Sequence, residues 1–366
     1  LSIFRVIRIL LRLILPSPLS GRATRTDMRQ ATQGSLMRIL VTGGAGFIGG
    51  HLSESFVREG HDVTVLDNFD PYYDLGIKRH NVDAARELSE DNDDTGRYKL
   101  VEGDVRDKEL IEKIVSDVEY VYHQAAQAGV RTSVEVPRKV NSINVGGTLN
   151  VLESARKHDA KRVVLASSSS VYGKPEYLPY DEEHPTTPVS PYGVSKVAAE
   201  EYARVYNELH SLPVVALRYF TVYGPRMRPN MAFTNFVSRC LHDEPPVVYG
   251  DGEQTRDFTY ADDAVEANLA LLDTDAADGE VMNIGSTDNI SIIELARTIR
   301  DIIDPSLDIE FDERYEADAE HTHADTLKAR ELIGYEPTTT IEEGARKFVE
   351  WYRENEDWYD PLVRRS

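Results

Sequence analysis

Cysteine is almost absent from this chain of 366 residues: Cys240 stands alone. No intrachain disulfide can form, which fits a reducing cytoplasm. Cys240 itself reads as a small buried apolar residue. No Cys/His group has the spacing of a zinc site. His321 and His323 are close together but lack companions, so no metal is expected. Lysine is also scarce, 11 against 30 Arg, and 63 carboxylates outnumber 41 bases for a net charge of −22. Such a surface repels nucleic acid and anionic membranes. It suits a halophilic protein, because concentrated salt screens self-repulsion; an ordinary acidic cytoplasmic protein is the alternative. Internal repeats and low-complexity tracts are missing too.

Long uncharged hydrophobic runs are lacking. Leu1 to Leu15 is apolar but broken by Arg5, Arg8 and Arg12. An arginine at the centre of a membrane span costs about 2.5 kcal/mol or more, which argues against a spanning helix. The first 36 residues carry six Arg and one Asp, a charge of +5, leaving −27 on the rest. A signal peptide or basic amphipathic anchor would have this composition. The preferred reading is an extension outside the fold from a mis-set start. Met37 would then be the true first residue, since Met37-Arg38-Ile39-Leu40-Val41-Thr42 opens the first strand directly.

What is present is a regular alternation of strand and helix. Ile39–Thr42, Val63–Leu66, Tyr98–Val101, Glu119–Tyr122, Arg162–Ala166 and Val214–Leu217 are short apolar runs that suit buried parallel strands. Helical patterns lie between them at Phe47–Glu59 and near 108–116, 139–158 and 192–210. Asp91 to Gly96 reads as an acidic, flexible loop. The alternation predicts an α/β fold, a doubly wound parallel (Rossmann) sheet, over residues 37–218 with a returning segment near 257–285. Pro and Gly clusters at 224–229 and 245–252 mark a smaller C-terminal mixed α/β domain for substrate, mostly residues 219–366.

The first strand runs into Gly43-Gly44-Ala45-Gly46-Phe47-Ile48-Gly49. Gly43, Gly46 and Gly49 between a strand and a helix permit a tight turn and close approach of backbone to a pyrophosphate, and the helix N-terminus supplies donors. Asp67 ends the second strand, 24 residues after Gly43. A carboxylate there accepts hydrogen bonds from ribose hydroxyls and repels a 2′-phosphate. Asn68 and Phe69 follow, with no Arg or Lys beside it, which argues for NAD over NADP. Asp104-Val105 after the third strand is a candidate adenine contact.

Tyr192 and Lys196 stand one helical turn apart in Ser190-Pro191-Tyr192-Gly193-Val194-Ser195-Lys196. A tyrosine titrates near pH ~10, so a base at neutrality needs a fall of roughly 3 units, about 4 kcal/mol. The Lys196 ammonium, with an oxidised nicotinamide, is expected to supply much of it. Ser168, in Ser167-Ser168-Ser169-Ser170-Val171-Tyr172-Gly173, lies at a strand end where ligands bind in open sheets. It is placed to hydrogen-bond a hydroxyl being oxidised; spacing alone does not separate it from Ser167, Ser169 or Ser170.

With these motifs the chain resembles the extended short-chain dehydrogenase/reductase family of nucleotide-sugar epimerases, from about Met37 to Tyr352. The resemblance implies bound NAD, a UDP-sugar substrate and a homodimer built from two helices per subunit. It implies Tyr192 as base, Lys196 as the ribose-binding lysine and Ser168 as the catalytic serine. Asn144 matches an asparagine near the cofactor, His123-Gln124-Ala125-Ala126 a segment under the nicotinamide ribose, and Tyr219 a further cofactor neighbour. Arg256 matches an arginine that grips the diphosphate, and Tyr249 a residue near the uracil. The second diphosphate clamp of the family departs from pattern: Tyr315 stands at the expected spacing before Asp318, with Arg314 one place earlier. Thr221 to Ala232 and Asp67 to Asp74 resemble UDP-glucuronate 4-epimerases, in which Thr221 and Arg228 would face the C6 carboxylate. Thr322 replaces a bulkier tyrosine of UDP-glucose epimerases.

The expectation is NAD-dependent C4 inversion of a UDP-sugar through a 4-keto intermediate, UDP-glucuronate first. UDP-glucose or a UDP-N-acetylhexosamine comes second, then decarboxylation or 4,6-dehydration. The alternative from a different class is a non-catalytic NAD-binding regulatory module.

Overall fold

Short runs of β-branched residues alternate with amphipathic helices through the first two-thirds of the chain, and the backbone follows that pattern. The structure is a computed structural model describing residues 36–90, 94–286, 288–313 and 321–365. The basic N-terminal stretch, the first half of the acidic 91–96 loop and Arg314 lie outside the described residues. In chain order come β1 (Arg38–Thr42), α1 (Phe47–Arg58), β2 (Asp62–Asp67), α2 (Leu75–Glu90), β3 (Tyr98–Glu102), α3 (Lys108–Val115) and β4 (Tyr120–His123). Next are α4 (Val130–Glu135), α5 (Pro137–Asn141), α6 (Thr148–Lys157), β5 (Arg162–Ser168), α7 (Pro191–His210) and β6 (Val214–Tyr219). The remainder holds β7 (Thr221–Tyr223), α8 (Ala232–Leu241), β8 (Val247–Tyr249), β9 (Thr255–Tyr260), α9 (Ala261–Ala270), β10 (Val281–Ile284), β11 (Asn289–Ser291), α10 (Ile292–Ile303), β12 (Glu310–Asp312), α11 (Leu327–Ile333), α12 (Ile341–Glu354) and α13 (Glu356–Val363).

Seven described strands form one sheet in the order β3-β2-β1-β4-β5-β6-β10, every neighbouring pair parallel. Strands β5 and β6 are buried almost throughout, as expected of a sheet covered on both faces. The strand order reverses between β1 and β4. In such sheets that point opens a crevice beyond the carboxyl ends of the strands. The sheet is therefore the doubly wound Rossmann type expected. A second layer is built from the β11-β9-β7 sheet and the β8–β12 pair. Its core is aromatic, with Tyr223, Phe233, Phe258, Phe348 and Tyr352 packed together, and Cys240 is buried there. Among the described residues, no helix is long and apolar enough to cross a membrane.

Two elements differ from the reading of the sequence. Helix α2 had no assignment; its polar composition hides a narrow stripe of Ile77, Asn81, Val82 and Ala85 that is buried. The helix expected at 139–158 is interrupted by a π-turn over Ser142–Gly147. A π-turn inserts one extra residue and often marks a functional site. This one buries Asn144, whose amide donates to the Gln127 carbonyl (3.2 Å) and the Ser195 hydroxyl (2.9 Å) and whose Oδ1 accepts from the Gln127 backbone N–H (2.8 Å).

Candidate active site

A cavity of about 840 Å³ lies across the C-terminal ends of β1, β2, β4, β5 and β6 and reaches under the second layer. Its first wall is the glycine loop. Gly43 has φ +69°, and a Cβ there would lie 2.8 Å from the Ala125 backbone. A Cβ on Gly49 would meet the Gly43 carbonyl oxygen at 2.2 Å. Neither position tolerates a side chain, so backbone and the N-terminus of α1 come close to the cavity there, a donor arrangement suited to a pyrophosphate. Gly46, Phe47 and Ile48 complete this wall.

Asp67 and Asn68 line the cavity at the end of β2, and Asp67 is buried. Its carboxylate accepts from the backbone N–H of Phe69 (2.8 Å) and Ala45 (3.2 Å). It also accepts from Lys78 Nζ at 3.0 Å. The expectation that no Lys or Arg stands beside Asp67 is therefore corrected: Lys78 is eleven positions away in sequence and arrives from α2. A carboxylate has about four acceptor sites, so one remains for a ribose hydroxyl. Val105 lines the cavity with Gly103, whereas Asp104 does not. Its side chain is held by Arg106 (2.8 Å) and Asn68 (2.8 Å), which together keep the carboxyl far below the usual range. Of this pair, Val105 is the residue on the cavity wall.

Gln124, Ala125 and Ala126 follow β4 into the cavity. His123 behind them is buried and pushed down to about 3 by burial and by Lys196. Its tautomer is determined. Thr148 donates to Asn144 O (2.5 Å), so its oxygen accepts from His123 Nε2–H (3.1 Å), and Nδ1 accepts from Thr42 Oγ1 (2.7 Å). Asn144 is turned inward to Gln127 and Ser195 and does not line the cavity.

Tyr192 and Lys196 enter from the first turns of α7, whose start is fixed by Pro191 at the first helical position and by the Ser190 hydroxyl accepting from Gly193 N–H (3.1 Å). A Cβ on Gly193 would lie 2.4 Å from Ser170 O, so glycine lets the helix close onto the serine turn. Lys196 Nζ donates to Ala166 O (2.6 Å) and lies 5.7 Å from the Tyr192 ring centroid. Burial brings Lys196 down to about 8 against the opposing pull of Glu200. Burial also raises the Tyr192 phenol above its ordinary value, against the lowering pull of Ser168 and the Arg228 guanidinium. The net direction is upward, and the side-chain cation that lowers the phenol is Arg228. The Tyr219 hydroxyl, pushed up to about 12 by burial, is fixed by the Asn268 amide at 2.7 Å.

The opposite wall carries Thr221, Arg228, Tyr249 and Arg256. The Arg228 guanidinium sits 5.6 Å over the Tyr72 ring and donates to Met231 Sδ (3.6 Å); among the described residues no carboxylate is within ion-pair range of it. Its loop is clasped to α1. Arg226, a non-glycine residue with φ +63°, is bidentate to Glu54 and donates to His51 Nδ1 (3.1 Å), leaving His51 Nε2–H to donate to Pro225 O (2.9 Å). Tyr72, Tyr73 and Asn230 also line this wall, although no spacing in the sequence marks them. Thr322 does not line the cavity; its hydroxyl oxygen accepts from Asp257 N–H (3.2 Å).

The GDP-mannose 4,6-dehydratase family model matches residues 40–348. A provisionally named UDP-glucose 4-epimerase of Methanocaldococcus jannaschii is 40% identical over 322 residues, 87% of this chain and 99% of that protein. UDP-glucuronate 4-epimerase 1 of Arabidopsis thaliana is 37% identical over 338 residues, 86% of this chain and 76% of the relative. Among solved structures, UDP-glucuronic acid 4-epimerase of Bacillus cereus in complex with UDP-glucuronic acid and NAD has a TM-score of 0.81 at 34% identity, covering 87% of this chain and 99% of that one.

Proposed function

The chain belongs to the GDP-mannose 4,6-dehydratase family of extended short-chain dehydrogenase/reductases, and from that premise we propose that it is an NAD-dependent epimerase inverting C4 of UDP-glucuronate. The observation that carries the reading is a Tyr–Lys–Ser group and a half-buried guanidinium, without a carboxylate partner among the described residues, on facing walls of one cavity. A buried cation calls for an anion, and a sugar acid provides one. The residues fit NAD: the glycine turn at Gly43 and Gly49 admits a pyrophosphate, and Asp67 retains an acceptor for ribose.

When bound, NAD supplies the hydride acceptor and donor for C4. Tyr192, aided by Ser168, takes the proton of the 4-hydroxyl and later returns it, a role worth about 10²–10⁴ in rate. Lys196 holds the ribose side and contributes positive charge. Arg256, a planar fork suited to phosphate oxygens, keeps the diphosphate fixed while the 4-keto sugar turns over. Thr221 and Arg228 hold the C6 carboxylate, and Tyr249 packs near the uracil. Residues 37–218, with the returning segment near 257–285, serve the cofactor, and most of 219–366 serves the sugar nucleotide. Val194, Tyr202 and Leu209 leave an exposed apolar stripe along α7, and we read this as one half of a homodimer interface.

UDP-glucose is the second substrate reading, favoured by the 40% identical relative. Dehydration is disfavoured because Ser169-Ser170, not carboxylates, follow Ser168. Incubation of purified protein with UDP-glucuronate, UDP-glucose and UDP-N-acetylglucosamine tests the proposal. UDP-galacturonate without CO2 is expected. Release of CO2, or epimerisation restricted to neutral sugars, would overturn the uronate assignment.

A further inference from the structure

Two consecutive residues at the end of β5 are hydrogen-bonded to α7: the Ala166 carbonyl accepts from Lys196 and the Ser167 hydroxyl donates to Glu200. The next residue, Ser168, lines the cavity with Tyr192 and donates to Ser170 Oγ (3.1 Å). Tyr192, Lys196 and Glu200 are spaced one helical turn apart, so the Tyr-x-x-x-Lys face continues into a glutamate. Glu200 is only 7% exposed. Its carboxylate takes two N–H groups from Arg218 on β6, Nε at 2.9 Å and Nη2 at 2.8 Å. Arg218 in turn donates to the Tyr172 hydroxyl (2.9 Å), which donates to Asn283 Oδ1 (2.6 Å). Apolar residues of similar volume would often fill such a site with equal or better stability, so folding alone does not call for a buried ion pair here.

We propose that Glu200 is a positioning residue for Lys196: its fixed carboxylate, bolted to Ser167 and Arg218, keeps the lysine an extended ammonium beside Tyr192. The proposal rests on the Tyr192–Lys196 reading above. Among the described groups facing Lys196, Glu200 is the source of negative charge. On α7 these are Tyr192, a neutral phenol, and Glu200 itself. From β4 comes His123, neutral by burial. Strand β6 offers Tyr219, also neutral, and Arg218, whose guanidinium is paired to Glu200. Strand β5 contributes the Ala166 carbonyl and the Ser167 hydroxyl. Burial alone works against the ammonium, and Glu200 opposes it.

The test is the pH profile of kcat/KM for UDP-glucuronate with the intact chain. Glu200→Gln is expected to move the alkaline limb down by about one pH unit, a tenfold loss above it, with the acid side little changed. Glu200→Asp should restore the limb, and Glu201→Gln, on the exposed face, should leave the profile unchanged. Glu200→Gln strands a buried guanidinium and could fail to fold. The double variant Glu200→Gln/Arg218→Gln leaves no unpaired charge and must show the same downward move. A limb that stays in place or moves upward in the double variant, with thermal stability alone reduced, overturns the proposal. Tyr192→Phe and Lys196→Met separate the two levels. If either keeps full activity, the base reading falls; if both are inactive while the Glu200 variants keep the wild-type limb, only the role of Glu200 falls.

Discussion

Arg228→Gln separates recognition of the sugar acid from the chemistry at C4. The guanidinium faces the cavity with the Tyr72 ring at 5.6 Å and the Met231 sulfur as its described neighbours. Among the described residues no carboxylate is paired with it, so a bound uronate would displace none of them. Hydrogen bonds between charged partners contribute about 1.5–3 kcal/mol, which corresponds to about 10- to 150-fold in kcat/KM. Gln keeps a donor but removes the charge, so most of that factor should be lost for UDP-glucuronate. UDP-glucose lacks the carboxylate and should change less than about threefold, within the range of solvent-exposed contacts. A smaller effect common to both substrates is expected, because the same guanidinium lowers the Tyr192 phenol; it should appear as an acid limb moved to higher pH. Steady-state kinetics on both substrates across pH 6–9 resolve the two contributions. Equal losses for both substrates at every pH would refute the carboxylate role.

Further outcomes follow from close contacts and buried charge. Gly49→Ala places a methyl 2.2 Å from the Gly43 carbonyl oxygen. Overpacking of this kind costs about 1–3 kcal/mol, and the purified variant should have lost NAD and show a lower Tm; normal cofactor content would contradict the cradle. Stability should also depend on His51 and His123, both pushed down to about 3 by burial. The unfolded imidazoles take a proton as pH drops through about 6.5 while the folded ones do not, so stability is lost from 6.5 downward, about 2 kcal/mol each by pH 5. Asp257, raised to about 7 by burial, acts in the opposite direction between pH 7 and 4. In Asp257→Asn, urea unfolding at pH 7 and pH 5 should therefore differ by about 4 kcal/mol; a flat response would contradict the buried-histidine account.

The sequence and the structure agree where a pattern is local. Glycines between strand and helix, and Tyr192 one turn before Lys196, are spacings that the backbone must obey, and the cavity gathers both. Strands β1 to β6 were legible because each is a short apolar run. What was not legible depends on distant contacts. Lys78 reaches Asp67 from α2, a helix whose buried stripe is too narrow to stand out among its charges. Asp104 reads as a candidate adenine contact after β3, yet Arg106 two residues on folds back onto it. Asn144 is turned away from the cavity by a π-turn that periodicity cannot distinguish from ordinary helix. Glu200 was hidden as one more acid in an acidic chain. Only the parallel register of β5 with β6 places Ser167 opposite Arg218 and shows why that glutamate is buried.

The central claim is that the Tyr192 phenol exchanges the proton of a sugar hydroxyl. Replacing it with phenylalanine removes one oxygen from a half-buried ring. The direct measurement is the epimerisation rate of purified Tyr192→Phe on UDP-glucuronate, taken with its NAD content and thermal unfolding. The account predicts a fall in kcat of about 10²–10⁴, with cofactor retained and the fold intact. A variant that still interconverts the C4 epimers within about tenfold of the wild-type rate would place the base elsewhere.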